Sequence, residues 1–379
     1  MKPYIPETLP LGNLDYAELI EVVGEANRSL VRYDGLLHGI PSPAVLLSPL
    51  TAQEAVMSSK IEGTQVTLGE VLEFEAGGDL GGQRKADDAQ EIINYRQTLG
   101  MATASLADRP ITLGFIKEMH AILMDSVRGQ DKTPGQFRTE QNWIGAPGCK
   151  IEEASFVPPE PIRLLENLES WERYIHIPDR DPLIQTAIIH AQFELIHPFN
   201  DGNGRIGRLL IPLYLYSKQV LVSPTFYLSG HLEENRDEYI GRLAAISSGG
   251  DWQGWIKFFL DAIVQQAKRN SEQVTEILKL YETMKAAVQR ITHSQFSAAM
   301  VDGLFSLPVF NSKSLEQTTG IPKQTLLLMV RQLRDANILL TLREGAGRRS
   351  AIHAFPELIN ITEDREVFDI GDRPRFSEP

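Results

Sequence analysis

The sequence predicts a mainly α-helical protein with a small β-hairpin within its core and a short helix-turn-helix followed by a hairpin near its C-terminus. Three observations predict this. Apolar residues recur at helical spacing through most of the chain. That pattern lapses over about residues 134–159, where Pro, Gly and aromatic residues cluster. From Phe296 onward the chain changes character again, reading helix, a Gly320-Ile321-Pro322 turn, helix, then two β-rich runs.

Taken in order, residues up to about Pro10 read as an extended arm. Leu14–Leu37 reads as a helix with Leu19, Ile20, Val23 and Leu30 at helical spacing, broken by Pro41 and Pro43. Thr51-Ala52-Gln53-Glu54 fits a capping box, opening a helix that runs to Glu62, with Gly63 just past its end. Glu62 then sits in the last turn, where the helix dipole disfavours a negative charge. Gly77–Gly82 is glycine-rich but lacks the Gly-Lys-Ser/Thr ending of a phosphate loop. Asp87–Met101 and Leu113–Val127 read as helices, and Pro147-Gly148 as a hairpin turn beside Cys149, an inert thiol. Pro182–Ile196 is apolar enough for a buried helix. His190 within it reads as a core histidine, because with Glu194 and His197 it makes no His-Glu-x-x-His pattern. Leu221–Leu232 leads into an acidic stretch ending in Tyr239, and Gln265–Gln289 reads as a long charged helix.

The chemistry concentrates in His197-Pro198-Phe199-Asn200-Asp201-Gly202-Asn203-Gly204-Arg205-Ile206-Gly207-Arg208. Pro198 and the Gly202-Asn203-Gly204 triplet stop one helix and start the next. Free amides at that new N-terminus suit phosphate oxygens. Arg205 and Arg208 lie three apart, on roughly one helix face beside them. Asp201 is placed to hold Mg²⁺ that phosphates also ligate. His197 is the nearby group able to act as a base near neutral pH. Together these residues describe a phosphoryl- or nucleotidyl-transfer site.

The same stretch resembles the signature of the Fic family, His-x-Phe-x-(Asp/Glu)-Gly-Asn-Gly-Arg-x-x-Arg, at every fixed position. Ser58-Ser59-Lys60-Ile61-Glu62-Gly63 resembles the family's inhibitory motif, (Ser/Thr)-x-x-x-Glu-(Gly/Asn). The resemblance implies a Fic-type helical core and transfer of AMP from ATP to a Ser, Thr or Tyr hydroxyl of a target protein. It implies His197 as catalytic base, Asp201 as Mg²⁺ ligand, and nucleotide binding by Gly202, Asn203, Gly204, Arg205 and Arg208. Tyr239 is the candidate for the nucleoside pocket, with a half-buried core tyrosine as the alternative. Ser58 and Glu62 would be inhibitory, with Glu62 pairing to Arg208 in the space of the γ-phosphate. A β-hairpin flap, expected over roughly Lys150–Phe156, would align the target by strand addition. Phosphate-transferring relatives carry lysine at the position of Gly204. Removal of AMP, phosphate transfer, and a DNA-binding regulator using the site as a nucleotide sensor are the competing readings.

At 379 residues the chain has room for two domains. A net charge of -13 and a pI near 5.2 argue against a general nucleic-acid or anionic-membrane binder. One cysteine, no signal-peptide pattern in Met1–Asp15 and no long uncharged apolar run lead to the expectation of a cytoplasmic protein away from membranes. The expected domains are 1–110 with the inhibitory helix, 111–262 as catalytic core, 263–295 as connecting helix, 296–361, and a loose charged tail 362–379. The 296–361 region resembles a winged helix-turn-helix. Seven Lys and Arg (Lys313, Lys323, Arg331, Arg334, Arg343, Arg348, Arg349) face three acids between Ser312 and Pro356. DNA binding and protein docking stand even for it. Self-modification and a homodimer complete the partner expectations.

Overall fold

The computed structural model describes residues 2–40, 43–125, 132–146, 148–347 and 349–369. Pro41, Val127, Pro147, Arg348 and the tail from 370 on therefore lie outside the described residues. The chain divides into two compact units, Met1–Gly35 with Met57–Gly63 and Ile93–Lys268, and Leu36–Val56 with Thr64–Ile92 and Arg269–Pro379.

The helices are α1 (Ile20–His38), α2 (Pro43–Leu46), α3 (Ser48–Ile61), α4 (Leu68–Glu75), α5 (Gln83–Ser105), α6 (Leu113–Leu123), α7 (Pro161–His176) and α8 (Pro182–Ile196). They continue as α9 (Asn203–Ser217), α10 (Ser229–Glu234), α11 (Arg236–Gly249), α12 (Trp252–Thr292) and α13 (Ser297–Ser306). Then come β1 (Val309–Asn311), α14 (Ser312–Thr319), α15 (Lys323–Asp335), β2 (Leu340–Arg343), β3 (Ile352–Ala354) and α16 (Pro356–Glu363).

The first unit is built around α8. Asp181 caps it, its Oδ1 accepting from the amides of Leu183 and Ile184, and Pro182 takes the first helical position. Every residue of α8 except Pro182 and Glu194 is buried, as its all-round apolar sequence requires. Helices α7, α9 and α11 pack against it. The indole N–H groups of Trp171 on α7 and Trp255 on α12 donate to the α8 carbonyls of Ile189 and Ala187, both at 2.9 Å, so neither buried ring leaves a polar atom unmet.

In the second unit three short antiparallel strands pair in the order β1-β3-β2, with a register shift between Thr341 and Arg343. Helix α14 packs against α13 and α15, and α4 lies beside β1. Gly320 ends α14 at φ 66, a left-handed conformation that glycine adopts without the cost of a Cβ.

Several local expectations need correction. The capping box at Thr51 does not form: α3 begins at Ser48, and the Thr51 hydroxyl donates back to the Leu47 carbonyl. The box lies instead at Thr67 and Glu70, opening α4. The charged helix extends 41 residues, Trp252–Thr292, and so runs unbroken through the boundary expected near 262. The tail is not loose immediately after Ile361, because the Asn360 side chain accepts from the amides of Val367 and Phe368.

Candidate functional site

His197 ends α8 in a left-handed conformation, φ 49 and ψ 62. That backbone costs a non-glycine residue roughly 1 kcal/mol, and it turns the chain into the loop that α9 follows. The ring sits against the carbonyl of Glu194, 3.3 Å from Nδ1. A carbonyl only accepts, so Nδ1 carries the proton and Nε2 the lone pair. Among the described residues Nε2 has no hydrogen-bond partner. Burial holds the imidazole at about 4, well below its usual range, so it is neutral at physiological pH.

The loop between α8 and α9 is tied down through its backbone. The Asn203 side chain clamps Phe199, accepting from its amide and donating to its carbonyl, each at 2.8 Å. The His120 ring stacks on Phe199 at 3.7 Å, accepts from the Gly135 amide at Nδ1 and donates from Nε2 to the Asp201 carbonyl. Gly202 precedes α9 at φ 76. The first bond along α9 runs from the Ile206 amide to the Gly202 carbonyl, which leaves the amides of Asn203 and Gly204 at an open helix N-terminus. The Asp201 carboxylate is 48% exposed and uses Oδ1 for the Gly202 amide and the Arg205 guanidinium.

Arg208 is buried at 2% exposure, with its guanidinium spoken for on three sides. Its Nε donates to the Ser58 hydroxyl, and Nη2 donates to the Ser58 carbonyl and to Glu62 Oε1 at 2.6 Å. Burial alone would raise the Glu62 pKa, but Arg208 more than offsets this and holds the carboxylate below its usual range. The Glu62 side chain is 42% exposed, so the pair stands at a wet rim with solvent screening on one side. A Cβ at Gly204 would stand 2.2 Å from Glu62 Oε1 and 2.8 Å from Arg208 Nη1. Glycine at 204 is thus a condition of the pairing. Lys60 with Glu233, and Arg236 donating to the Ile61 carbonyl, fasten the end of α3 to α10 and α11.

Behind Arg208 lies a buried polar chain. Tyr239 is 3% exposed, so the structure places it against Arg208 and not on an open pocket wall. Its hydroxyl donates to His190 Nε2, and His190 Nδ1 donates to the Gly207 carbonyl, each at 3.0 Å. His190 is therefore the satisfied core histidine its helix predicted. Beside it, burial pushes Glu194 up to about 8, and its Oε1 has no hydrogen-bond partner. Gly207 makes room for that carboxyl, since a Cβ there would meet it at 2.1 Å.

The flap is shifted from its expected Lys150–Phe156. It is closed by a single antiparallel bridge, Ile144 to Phe156, and Ile151–Glu153 is a short 3-10 turn. Sequence reasoning missed His120, Arg138, Glu194 and Gly207. Glu194 alone had a readable signal, a lone acid on an apolar helix.

Ser58, Glu62, His197, Asp201, Gly202, Asn203, Gly204, Arg205, Arg208 and Tyr239 all fall within the first unit. They assemble a neutral imidazole with a free lone pair, open helix amides and a buried arginine paired with a carboxylate. Among the described residues no three His, Cys, Asp or Glu side chains gather to hold a metal. A cation bound at Asp201 would thus take its remaining ligands from phosphate oxygens and water, a role the exposed carboxylate fits.

Residues 20–104 match the family described as Fic/DOC family N-terminal, and residues 110–215 match Fic/DOC family, together just over half of the chain. The protein adenylyltransferase Fic of Drosophila erecta is 26% identical over 257 residues, covering 64% of this chain and 47% of its own length. The protein adenylyltransferase fic-1 of Caenorhabditis briggsae is 28% identical over 161 residues, covering 41% and 30%. The chain thus spans about half or less of the length of these relatives. A crystal structure of a Fic family protein from Desulfovibrio desulfuricans G20 superposes with a TM-score of 0.55 at 19% identity, covering 93% of this chain and 98% of that one. Fic-1 from C. elegans superposes with a TM-score of 0.52 at 22% identity, covering 67% and 73%. No helix among the described residues is long and apolar enough to cross a membrane. The chain belongs to the Fic/DOC family.

Proposed function

We propose that the protein transfers AMP from ATP to a Ser, Thr or Tyr hydroxyl of a target protein and of itself, and that Glu62 holds it off. The observation that carries this is the Nε2 lone pair of His197 beside the open amides of α9. Nε2 takes the proton of the hydroxyl, whose oxygen attacks the α-phosphorus. The new oxygen–phosphorus bond forms as the bond to the bridging oxygen of pyrophosphate breaks. Of the three amides expected there, that of Gly202 is taken by Asp201, so those of Asn203 and Gly204 stabilise charge on the phosphate oxygens, and the Arg205 guanidinium supports the leaving group. Asp201 would hold Mg²⁺, which would supply positive charge to the phosphates when bound. Arg208 takes the γ-phosphate once Glu62 withdraws. Relatives named protein adenylyltransferase support the reading, and glycine at 204 weighs against phosphate transfer. The test is label incorporation from α-labelled ATP into a cell lysate by wild type and Glu62→Gly. No label from either chain would remove the proposal.

The arrangement of α13, α14, α15 and the β2–β3 hairpin supports a winged helix in the second unit. Leu327 and Leu328, 45% and 56% exposed on α15, favour protein docking over DNA for it. A mobility shift on mixed-sequence duplex at low salt, weakened by Arg349→Ala, would overturn docking in favour of DNA.

A further inference from the structure

Arg138 takes no part in the transfer chemistry, yet it is the least expected charge in the first unit. It is 3% exposed, and among the described residues no carboxylate pairs with it. Burial lowers its pKa to about 10, which leaves it charged at neutral pH. A buried guanidinium without a counter-charge is costly, and an apolar side chain would fill the same volume without that cost.

Its partners explain the expense. Nε donates to the His197 carbonyl at 3.0 Å, Nη1 to the Glu140 carbonyl at 3.2 Å and Nη2 to the Pro159 carbonyl at 2.5 Å. Its own amide donates to the Pro198 carbonyl at 2.9 Å. Glu140 and Pro159 flank the flap on its two sides, outside the Ile144–Phe156 bridge. The same seam carries Asn142 donating to the Phe199 carbonyl and Gln141 donating to the Pro158 carbonyl. One rigid, planar side chain therefore joins both stems of the flap to the strained backbone of His197.

We propose that Arg138 is a positioning residue that fixes the distance between the flap and His197, and so sets where a flap-bound hydroxyl meets Nε2. This rests on the transfer reading above. The guanidinium suits the task because its fork serves three carbonyls at once, which a lysine ammonium on a flexible stem cannot do at these positions. None of the groups proposed to bind phosphate, the α9 amides, Arg205 and Arg208, bonds directly to Arg138, so seating of ATP should suffer less than transfer.

The test uses the full chain with Arg138→Met and Arg138→Lys, each in wild-type and Glu62→Gly backgrounds. Amide hydrogen exchange should quicken about tenfold or more at residues 140–146, 155–159 and 197–200 in Arg138→Met, and less in Arg138→Lys. Exchange unchanged there, or raised equally over the whole first unit, would overturn the proposal. In the Glu62→Gly background kcat for target labelling should fall roughly 10- to 100-fold in Arg138→Met, the scale of an ångström of misplacement. KM for ATP should hold, and Arg138→Lys should recover part of kcat. A parallel loss of ATP affinity, or no change in kcat, would likewise overturn it. If Glu62→Gly itself labels nothing, the transfer reading fails while exchange still decides the role of Arg138.

Discussion

The loop joining α8 to α9 and the end of α3 lie side by side but are held by different means. The loop is fastened through its backbone by buried side chains, Asn203 on Phe199, His120 on Asp201 and Arg138 on His197. Glu62 reaches the site through one ion pair to Arg208, at a rim where its side chain is 42% exposed. Buried hydrogen bonds to backbone cannot be exchanged for water without cost, so they define a permanent geometry. A half-solvated carboxylate can be exchanged for a phosphate oxygen, which is what the proposed switch requires. The comparison teaches that permanence and reversibility are set here by burial of the contact and not by its formal charge.

Four predictions sharpen or break this contrast. His197→Ala removes the base from the permanent half and should cost roughly 10² to 10⁴ in transfer rate while ATP binding survives. Because burial holds the ring at about 4, the acid limb of the wild-type profile should fall near that value and not near 6.5. Full labelling by the mutant, or an acid limb at the ordinary histidine value, would remove His197 from the mechanism.

Glu62→Gly touches only the switch. It should raise AMP transfer, self-modification included, by about 100-fold, the scale expected when a reacting centre is realigned by an ångström. Arg208→Ala, alone or with Glu62→Gly, should stay weak, because in the proposed mechanism the same arginine seats the γ-phosphate. Equal rates in wild type and Glu62→Gly would return Glu62 to a solvated helix end.

Ser58 belongs to both halves, since its buried hydroxyl accepts from Arg208 Nε. Ser58→Ala leaves that donor unmet and should cost about 1–3 kcal/mol of folding stability, read as a lowered denaturation midpoint. An unchanged midpoint would mean that water replaces the hydroxyl and that Arg208 is less enclosed than described.

Glu194→Gln should have the smallest effect of the four, least of all in acid, where both side chains are neutral, and should show itself as pH rises from 4.5 to 8. An acid raised from 4.5 to about 8 on folding binds its proton more tightly in the folded chain. Its stabilising contribution is therefore fully present below pH 4.5 and lost as pH rises through 8. The glutamine variant should lack that decline, so the melting temperatures of the two proteins should diverge between pH 4.5 and about 8 and no further above it. Parallel curves would place the Glu194 carboxyl in contact with solvent.

What was readable without the structure follows from the range over which each signal acts. The bounds of α8, the glycine stop at Gly63 and the turn at Gly320 depend on residues within a few positions of one another, so periodicity and capping chemistry expose them. The twelve residues from His197 to Arg208 carry their chemistry contiguously, and the resemblance to a known signature named it. The false capping box at Thr51 shows the limit of the same logic, since a local pattern cannot say that packing will start the helix earlier, at Ser48. Only the tertiary structure could decide that Tyr239 stands behind Arg208, that Gly204 and Gly207 are voids left for Glu62 and Glu194, and that Arg138 serves three carbonyls. Each of these depends on which atoms long-range packing brings within hydrogen-bond reach and shields from water, and neither quantity is written in the spacing of residues along a chain.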